Sequence, residues 1–368
     1  MRSIVACLLA LSAPHLFGSV DDSLKALVAV EREGKGNEAA SAAWKEVVKA
    51  GPSALPAIIA SAGKGNVVAD NWLRLAGDVI IANALREKQT VPYAEIETFI
   101  KDTNNAPSGR QLAFDLLRQA DAARADVLEP TLAYDPVQSL RRGAVQRLMD
   151  SVKTKKGSEV MTTYLQALDV VRDEDQTKII VGELKKFGHN VDLRQHFGFL
   201  TKWQVIGPFD NTGGKGFDTA FAPEKGIQLD ATYDGKGKQV KWQPFESADD
   251  YGKLDFNKPF GMQKESTAYA VTTFESYSDL NAELRLGCKN AWKVWLNGEL
   301  LFGRDEYHRG QQMDQYKLKC RLKKGANTIL VKCCQNEQKE EWTVEWEFQL
   351  RLCDSAGTAI VAANSAVK

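Results

Sequence analysis

Between Gly303 and Gly310 the chain carries Arg304, Asp305, Glu306, Tyr307, His308 and Arg309. Guanidinium, carboxylate, phenol and imidazole groups on one loop are the donors and acceptors that hold the hydroxyls of a polar ligand. Arg304, Asp305, Tyr307 and His308 are therefore the candidate ligand contacts, against the plain alternative of a solvated charged loop. A sugar ring also needs a flat apolar platform for its C–H face, which an exposed indole supplies. In Trp292–Leu296, Trp292, Val294 and Leu296 share one face of a strand and Lys293 and Trp295 share the other. With Val294 and Leu296 in the core, Trp295 points outward, either as that platform or beneath a loop or the helical domain. Trp342, Val344, Trp346 and Phe348 also share a face, and so much apolar area on one side reads as core.

Sets that would carry catalysis are missing from the sequence. There is no Gly-x-Ser-x-Gly elbow, no phosphate-cradling glycine loop ending in Lys-Ser or Lys-Thr, and no His-Glu-x-x-His. Asp249-Asp250 and Asp255 could form a carboxylate pair of the glycosidase kind, but on a loop they read as solvated groups. Gly213-Gly214-Lys215-Gly216 lacks the strand-to-helix setting of a nucleotide loop. His189, His196 and His308 lie nowhere near metal-ligand spacing, and no Cys-x-x-Cys pair exists. The expectation is a binding protein rather than an enzyme, with no catalytic residues, metal or cofactor.

Lys plus Arg and Asp plus Glu balance at 48 each, and short basic runs such as Lys153–Lys156 read as solvated helix ends. Nothing in that balance calls for nucleic acid or an anionic membrane as partner. The first residues, with Arg2, an apolar stretch from Ile4 to Ala13, Pro14 and then Gly18-Ser19, have the layout of a secretory signal peptide over residues 1–20, cleaved near residues 18–20. No other segment is long and apolar enough for a membrane span, so the expected location is extracytoplasmic. Cys288, Cys320, Cys333, Cys334 and Cys353 then form an odd set in an oxidising compartment, and their connectivity is open. Adjacent Cys333 and Cys334 would face opposite sides of a strand.

Two kinds of element must position these groups. From Asp21 to about Asn190, Ala, Leu and charged residues recur at helical spacing, broken by glycine and proline. Ala40, Trp44, Val47 and Val48 lie on one stripe that Gly51-Pro52 ends. A weak repeat runs through Arg74/Gly77/Ile81, Arg110/Ala113/Leu117 and Arg141/Ala144/Leu148, where the small residue would let neighbouring helices approach closely. The last helix, Asp175–Phe187, carries Ile179, Ile180, Leu184 and Phe187, and residues 191–196 read as a linker. After Phe197 the period changes to about nine short strands rich in Val, Thr, Tyr, Phe and Trp, separated by Gly, Asn and Asp turns. Asn297-Gly298 between Trp292–Leu296 and Leu300–Phe302 is a strong hairpin signal, because the turn requires positive φ at both central residues. Leu318, Cys320 and Leu322 alternate with Lys317, Lys319 and Arg321, giving one wet and one packed face.

Leu128–Leu148, with a helix, the Asp135-Pro136-Val137 turn and an Arg-rich second helix carrying Ala144, resembles a HEAT-like repeat. Val294–Gly298, Leu322–Val331 and the closing Trp346–Leu352 strand resemble the galactose-binding-like jelly roll of carbohydrate-binding modules. Trp203–Phe209, with Phe217-Asp218 and Pro223-Glu224, is similar to the opening of uncharacterised exported bacterial proteins that pair the two. The resemblance implies a multidomain α plus β chain: a HEAT-like helical stack over 21–190 that contacts a protein partner, and an antiparallel β-sandwich over 197–368 that binds a glycan or glycosylated protein. A structural or protein-interaction component of the cell envelope with no sugar ligand, or a hydrolase with a degenerate site, are the alternatives. Where such domains carry acids after a Leu-Gly turn, this chain has Gly287-Cys288-Lys289-Asn290, which argues against calcium there.

Overall fold

A computed structural model describes residues 18–363, so residues 1–17 of the expected signal peptide lie outside the described residues. The chain forms two compact units, one up to Lys155 and one from Lys156 onward. Helices occupy the N-terminal part and antiparallel sheets the C-terminal part. Among the described residues no helix is long and apolar enough to cross a membrane.

The first unit consists of α1 (Val20–Val28), α2 (Asn37–Lys49), α3 (Leu55–Ser61), α4 (Val67–Glu87), α5 (Tyr93–Lys101), α6 (Pro107–Ala120), α7 (Ala122–Leu128) and α8 (Gln138–Ser151), joined by short turns. Side chains cap several of them: the Asn66 carboxamide oxygen accepts from Val68 and Ala69 N–H at the start of α4, satisfying donors that have no intrahelical partner. Gly51 has φ 68, and Pro52 opens the next turn, so the break after α2 falls where the sequence places it. The repeated small residue also has a visible cause. A Cβ on Gly77 would stand 2.8 Å from Leu116 Cδ1, so α4 and α6 meet closely enough that a larger residue there would displace the Leu116 side chain.

Two of the three arginines in that pattern, Arg110 and Arg141, are buried anchors, whereas Arg74 is exposed and pairs with Asp115 at 2.6 Å. Arg110, on α6, makes a two-pronged ion pair with Asp135 and donates from Nε to the Ile100 carbonyl at 2.7 Å. Arg141, on α8, donates to the Asp135 carbonyl at 2.7 Å. Two of the repeat arginines thus converge on one aspartate, whose carboxylate also caps Val137 N–H at 2.8 Å. Both Arg110 and Asp135 are buried, a setting in which a two-pronged fork is the geometry that satisfies the charges.

The second unit begins with α9 (Ser158–Val170), α10 (Glu174–Lys186) and α11 (Leu193–Phe197). Its start precedes the change of sequence period at Phe197, because these helices cluster with the sheets rather than with α1–α8. Residues 191–196 are partly helical, with Asp192 capping α11. On α10 only Ile180 and Leu184 of the apolar stripe are buried, while Ile179 and Phe187 are exposed.

Strands follow as β1 (Lys202–Asp210), β2 (Thr232–Asp234), β3 (Gln239–Lys241), β4 (Gln243–Glu246), β5 (Leu254–Asp255), β6 (Ser266–Ser276), β7 (Leu280–Cys288), β8 (Ala291–Leu296), β9 (Glu299–Arg304), β10 (Tyr316–Leu322), β11 (Gly325–Gln335) and β12 (Glu347–Cys353). They build a six-stranded sheet in the order β4-β1-β6-β11-β8-β9 and a four-stranded sheet in the order β10-β7-β12-β5, with β2 and β3 as a separate hairpin. All ladders are antiparallel. Side chains from both sheets share one core, including Trp203, Phe256, Leu284, Trp292, Val331 and Phe348. The Asn297-Gly298 turn has the expected positive φ at both residues, 53 and 85.

The outer face of the six-stranded sheet is covered as well. Register places Gln204, Val271, Leu330 and Trp295 in one row and Ile206, Tyr269, Lys332 and Lys293 in the next. Phe221, Ile227 and Tyr233, from the irregular segment between β1 and β3, pack on these rows together with Val240 and Trp242.

The outer face of the four-stranded sheet buries an ionic cluster. Arg285 and Arg351 stand directly opposite each other on β7 and β12, and Asp314 bridges them. Beside them, burial and the charge of Arg172 hold His196 down at about 4, from an ordinary 6.5. Between those values the unfolded chain binds a proton that the folded chain excludes, so stability is complete above pH 6.5 and falls as the pH drops toward 4. The expected loss is about 3 kcal/mol. Denaturant melts from pH 4.5 to 7.5 should show that slope, and His196→Gln should flatten it; an equal slope in the variant would assign it elsewhere.

Candidate functional site

Two connections meet at one end of the two sheets: the loop after β9 and the segment between β11 and β12. His308, in the first, has φ 59 and donates its backbone N–H to the Lys289 carbonyl at 2.6 Å. Its Nε2 faces Asn336 Oδ1 at 3.1 Å, which fixes a hydrogen on that nitrogen because the partner only accepts. The imidazole stands edge-on to Trp342, with ring centroids 5.1 Å apart and planes at 84°.

Trp342 is 59% exposed. It belongs to a short 3-10 turn, Glu341–Thr343, and not to the strand face with Trp346 and Phe348 that the alternation predicts. Trp346 and Phe348 are core residues, as expected. The chain leaves the strand pattern here for a local reason. The Thr343 hydroxyl lies 2.9 and 2.7 Å from the Gln338 and Glu340 carbonyls. Lys264 Nζ and Gln335 Nε2 each donate to the Thr343 carbonyl at 2.9 Å, and Gln335 also reaches the Glu345 carbonyl. Side chains thereby occupy the backbone acceptors that a strand ladder would use, so β12 starts only at Glu347. The same bonds hold the turn and its exposed indole in place.

The other residues singled out by sequence divide around this platform. Tyr307 turns inward: its oxygen accepts from Asn211 Nδ2 at 3.2 Å, and burial raises its pKa. Arg304 pairs with Glu306 at 3.1 Å, which also faces Arg309 at 3.5 Å. Asp305 is exposed, and its carboxyl is raised by partial burial and by the charge of Asp218, against the pull of Lys293. Trp295 does point out of the two-sheet core, but it is only 8% exposed and packs in the covered cluster with Leu330 and Val271. It presents no open ring face, because the segment between β1 and β3 lies over that side of the sheet.

The acidic residues after β4 have local duties. Asp249 Oδ1 accepts from the N–H groups of Tyr251 and Lys253, and Asp255 Oδ1 caps Asn257 N–H. At the Gly287–Asn290 turn, Lys289 is ion-paired with Glu345. Among the described residues no group of three or more His, Cys, Asp or Glu side chains could hold a metal ion.

Sequence reasoning missed Trp342 and Asn336, although the polar run Gln335–Glu341 ahead of the indole is a signal that the chain there leaves the sheet. It also missed a buried polar node on the covered outer face. Lys332, 0% exposed, donates to Glu224 Oε1 at 2.8 Å and to the carbonyls of Phe217 and Thr219 at 2.9 Å each. Tyr269 OH donates to the same carboxylate oxygen. The node ties the covering segment to the sheet. Beside it, a cleft of about 670 Å³ is floored by Gln204, Val271 and Thr273 and flanked by Ile227, Leu229 and Pro244.

No protein-family profile matches the chain, and no curated protein sequence matches it. Among solved structures, a GH31 alpha-xylosidase from Xanthomonas citri is similar over 42% of this chain and 18% of its own, at 9% identity and a TM-score of 0.23. A beta-glucosidase from Kluyveromyces marxianus in complex with glucose is similar over 75% of this chain and 36% of its own, at 10% identity and a TM-score of 0.28. The chain thus spans little more than a third of either enzyme at most, at scores too low to define a shared fold.

Proposed function

We propose that this chain is an exported, non-catalytic binding protein that holds a glycan or glycosylated partner on the Trp342 platform. The observation that carries the reading is a 59% exposed indole on a turn fixed by side-chain hydrogen bonds. Leaving a large apolar ring in water is unfavourable, and a rigid exposed ring is what a sugar's C–H face stacks upon at low ordering cost. His308 stands edge-on against the ring with its Nε2 held by Asn336, so it supports the platform, and Asn336, Gln338 and Glu340 on the same connection are the polar groups left to engage ring hydroxyls. Trp295 takes no part in this platform. In this reading the two sheets are a galactose-binding-like jelly roll and α1–α8 a HEAT-like stack.

The protein partner falls to the helical unit. There Val127, 79% exposed, borders a groove of about 550 Å³ with Glu97, Lys101 and Arg124, a mix of apolar centre and charged rim suited to a protein surface.

A screen of the full chain against immobilised polysaccharides tests the glycan reading. Binding should appear and should fall by about tenfold or more in Trp342→Ala, the scale of losing one aromatic anchor. Stability should stay within about 0.5 kcal/mol, because the side chain is exposed. Binding that survives the substitution would remove Trp342 from the site, and no binding to any polysaccharide would favour the interaction role alone.

A further inference from the structure

Of the five cysteines after residue 280, two share a space. Cys288 ends β7 in the four-stranded sheet and Cys333 lies in β11 of the six-stranded sheet, and both line the common core at 1% and 0% exposure. Their sulfurs are 3.9 Å apart. Trp346 Nε1 donates to the Cys333 carbonyl at 3.1 Å, and Cys288 Sγ faces the Glu347 carbonyl at 3.3 Å, so both strands are fixed locally by the start of β12.

The other three cysteines have no such neighbour. Cys334 faces the opposite side of β11, beside Thr267 Oγ1 at 3.3 Å. Cys320 lies opposite Ala282, six positions along β7 from Cys288, which is about 20 Å of strand. Cys353 follows core residue Leu352 on β12, so alternation turns it away from the interior, and its sulfur lies 3.8 Å from the Glu283 carbonyl. An odd set of five thus resolves into one facing pair and three isolated thiols.

We propose that Cys288 and Cys333 form a disulfide between the two sheets when the chain folds in an oxidising environment. The oxidant is a disulfide, either a low-molecular-weight one or that of an oxidoreductase. One cysteine thiolate attacks it, giving a mixed disulfide and releasing one reduced thiol; the second cysteine thiolate then displaces the other, forming the Cys288–Cys333 bond. Two electrons and two protons leave the pair, and the oxidant becomes two thiols. From 3.9 Å the sulfurs must close to about 2.05 Å to form the bond. Both thiols are enclosed by the finished core, so exchange takes place before the sheets close. The inference does not depend on what the Trp342 platform binds.

The full chain, refolded with mixed oxidised and reduced glutathione, alkylated in denaturant and mapped by mass spectrometry, tests it. The expected product joins the Cys288 and Cys333 peptides and leaves Cys320, Cys334 and Cys353 alkylated. Fully alkylated Cys288 and Cys333, or a bond to any other cysteine, would overturn the proposal. The closed loop should also raise Tm by about 10 °C over the reduced protein, and the difference should vanish in Cys288→Ala/Cys333→Ala. A linked protein no more stable than the reduced one would contradict a pair that the fold already brings together.

Discussion

Asp314→Ala is expected to lower the unfolding free energy by about 3–5 kcal/mol, the range for removing one partner of a buried ionic cluster. Asp314 receives Arg351 Nε at 2.6 Å, Arg351 Nη2 at 2.5 Å and Arg285 Nη1 at 2.7 Å. Both arginines are buried, so the substitution strands two like charges on facing strands with Glu283 as the remaining acid at Arg285. Alanine is also poorly suited to the backbone there, where φ is 59. Asp314→Asn separates the two causes, because asparagine tolerates that conformation and removes only the charge. Most of the loss should remain in Asp314→Asn. Burial raises the Asp314 carboxyl, but the bonds and charges of Arg351 and Arg285 outweigh it and hold it below the usual range. The contribution is therefore present above the ordinary carboxylate range and lost as the pH falls through the lowered folded value, where Asp314→Asn should converge with the parent. Urea melts at neutral and acid pH measure this directly; equal stability at neutral pH would mean that the cluster is solvated.

Glu224→Ala is the second large effect, again about 3–5 kcal/mol. It leaves the Lys332 ammonium with two backbone carbonyls and the Tyr269 hydroxyl without its acceptor. Burial already lowers the Lys332 pKa, and the hydrogen bond to Glu224 opposes that shift. Without the carboxylate the lysine is held lower still, so the unfolded chain binds a proton that the folded chain sheds, and stability rises with pH over that interval. The deficit of Glu224→Ala should accordingly shrink from pH 7 to pH 9. Lys332→Met with Glu224→Gln should recover much of the loss, since an apolar side chain removes the buried charge while Gln can still accept from Tyr269. Failure of that pair to recover stability would place the cost in packing of the covering segment instead.

The parts of this fold that were legible in the sequence are those where a short-range rule acts alone. Asn297-Gly298 sets the hairpin through its own φ values, and Leu318, Cys320 and Leu322 alternate with charged neighbours along an edge strand whose outer side is wet. The small residue of the arginine-containing repeat is likewise explained by contact at Gly77. Trp295 shows where the rule stops: alternation gives its side of the strand correctly, but the segment that buries it has no period, so its coverage depends on tertiary contacts through Lys332 and Glu224. Trp342 shows the reverse. Period-two spacing with Trp346 and Phe348 predicts a core residue, and hydrogen bonds from Gln335, Lys264 and Thr343 bend the chain out of that pattern. The candidate site was half visible: His308 belongs to it, Arg304 and Asp305 lie on the same loop, and the ring beside His308 came from a connection read as strand.

A titration of the full chain with a polysaccharide from the screen, followed by isothermal calorimetry for the parent, Trp342→Ala and Trp295→Ala, tests the proposed function most directly. Binding lost in Trp342→Ala and retained in Trp295→Ala is the predicted result. Binding retained in Trp342→Ala, or lost only in Trp295→Ala, would contradict a ligand platform on the exposed indole.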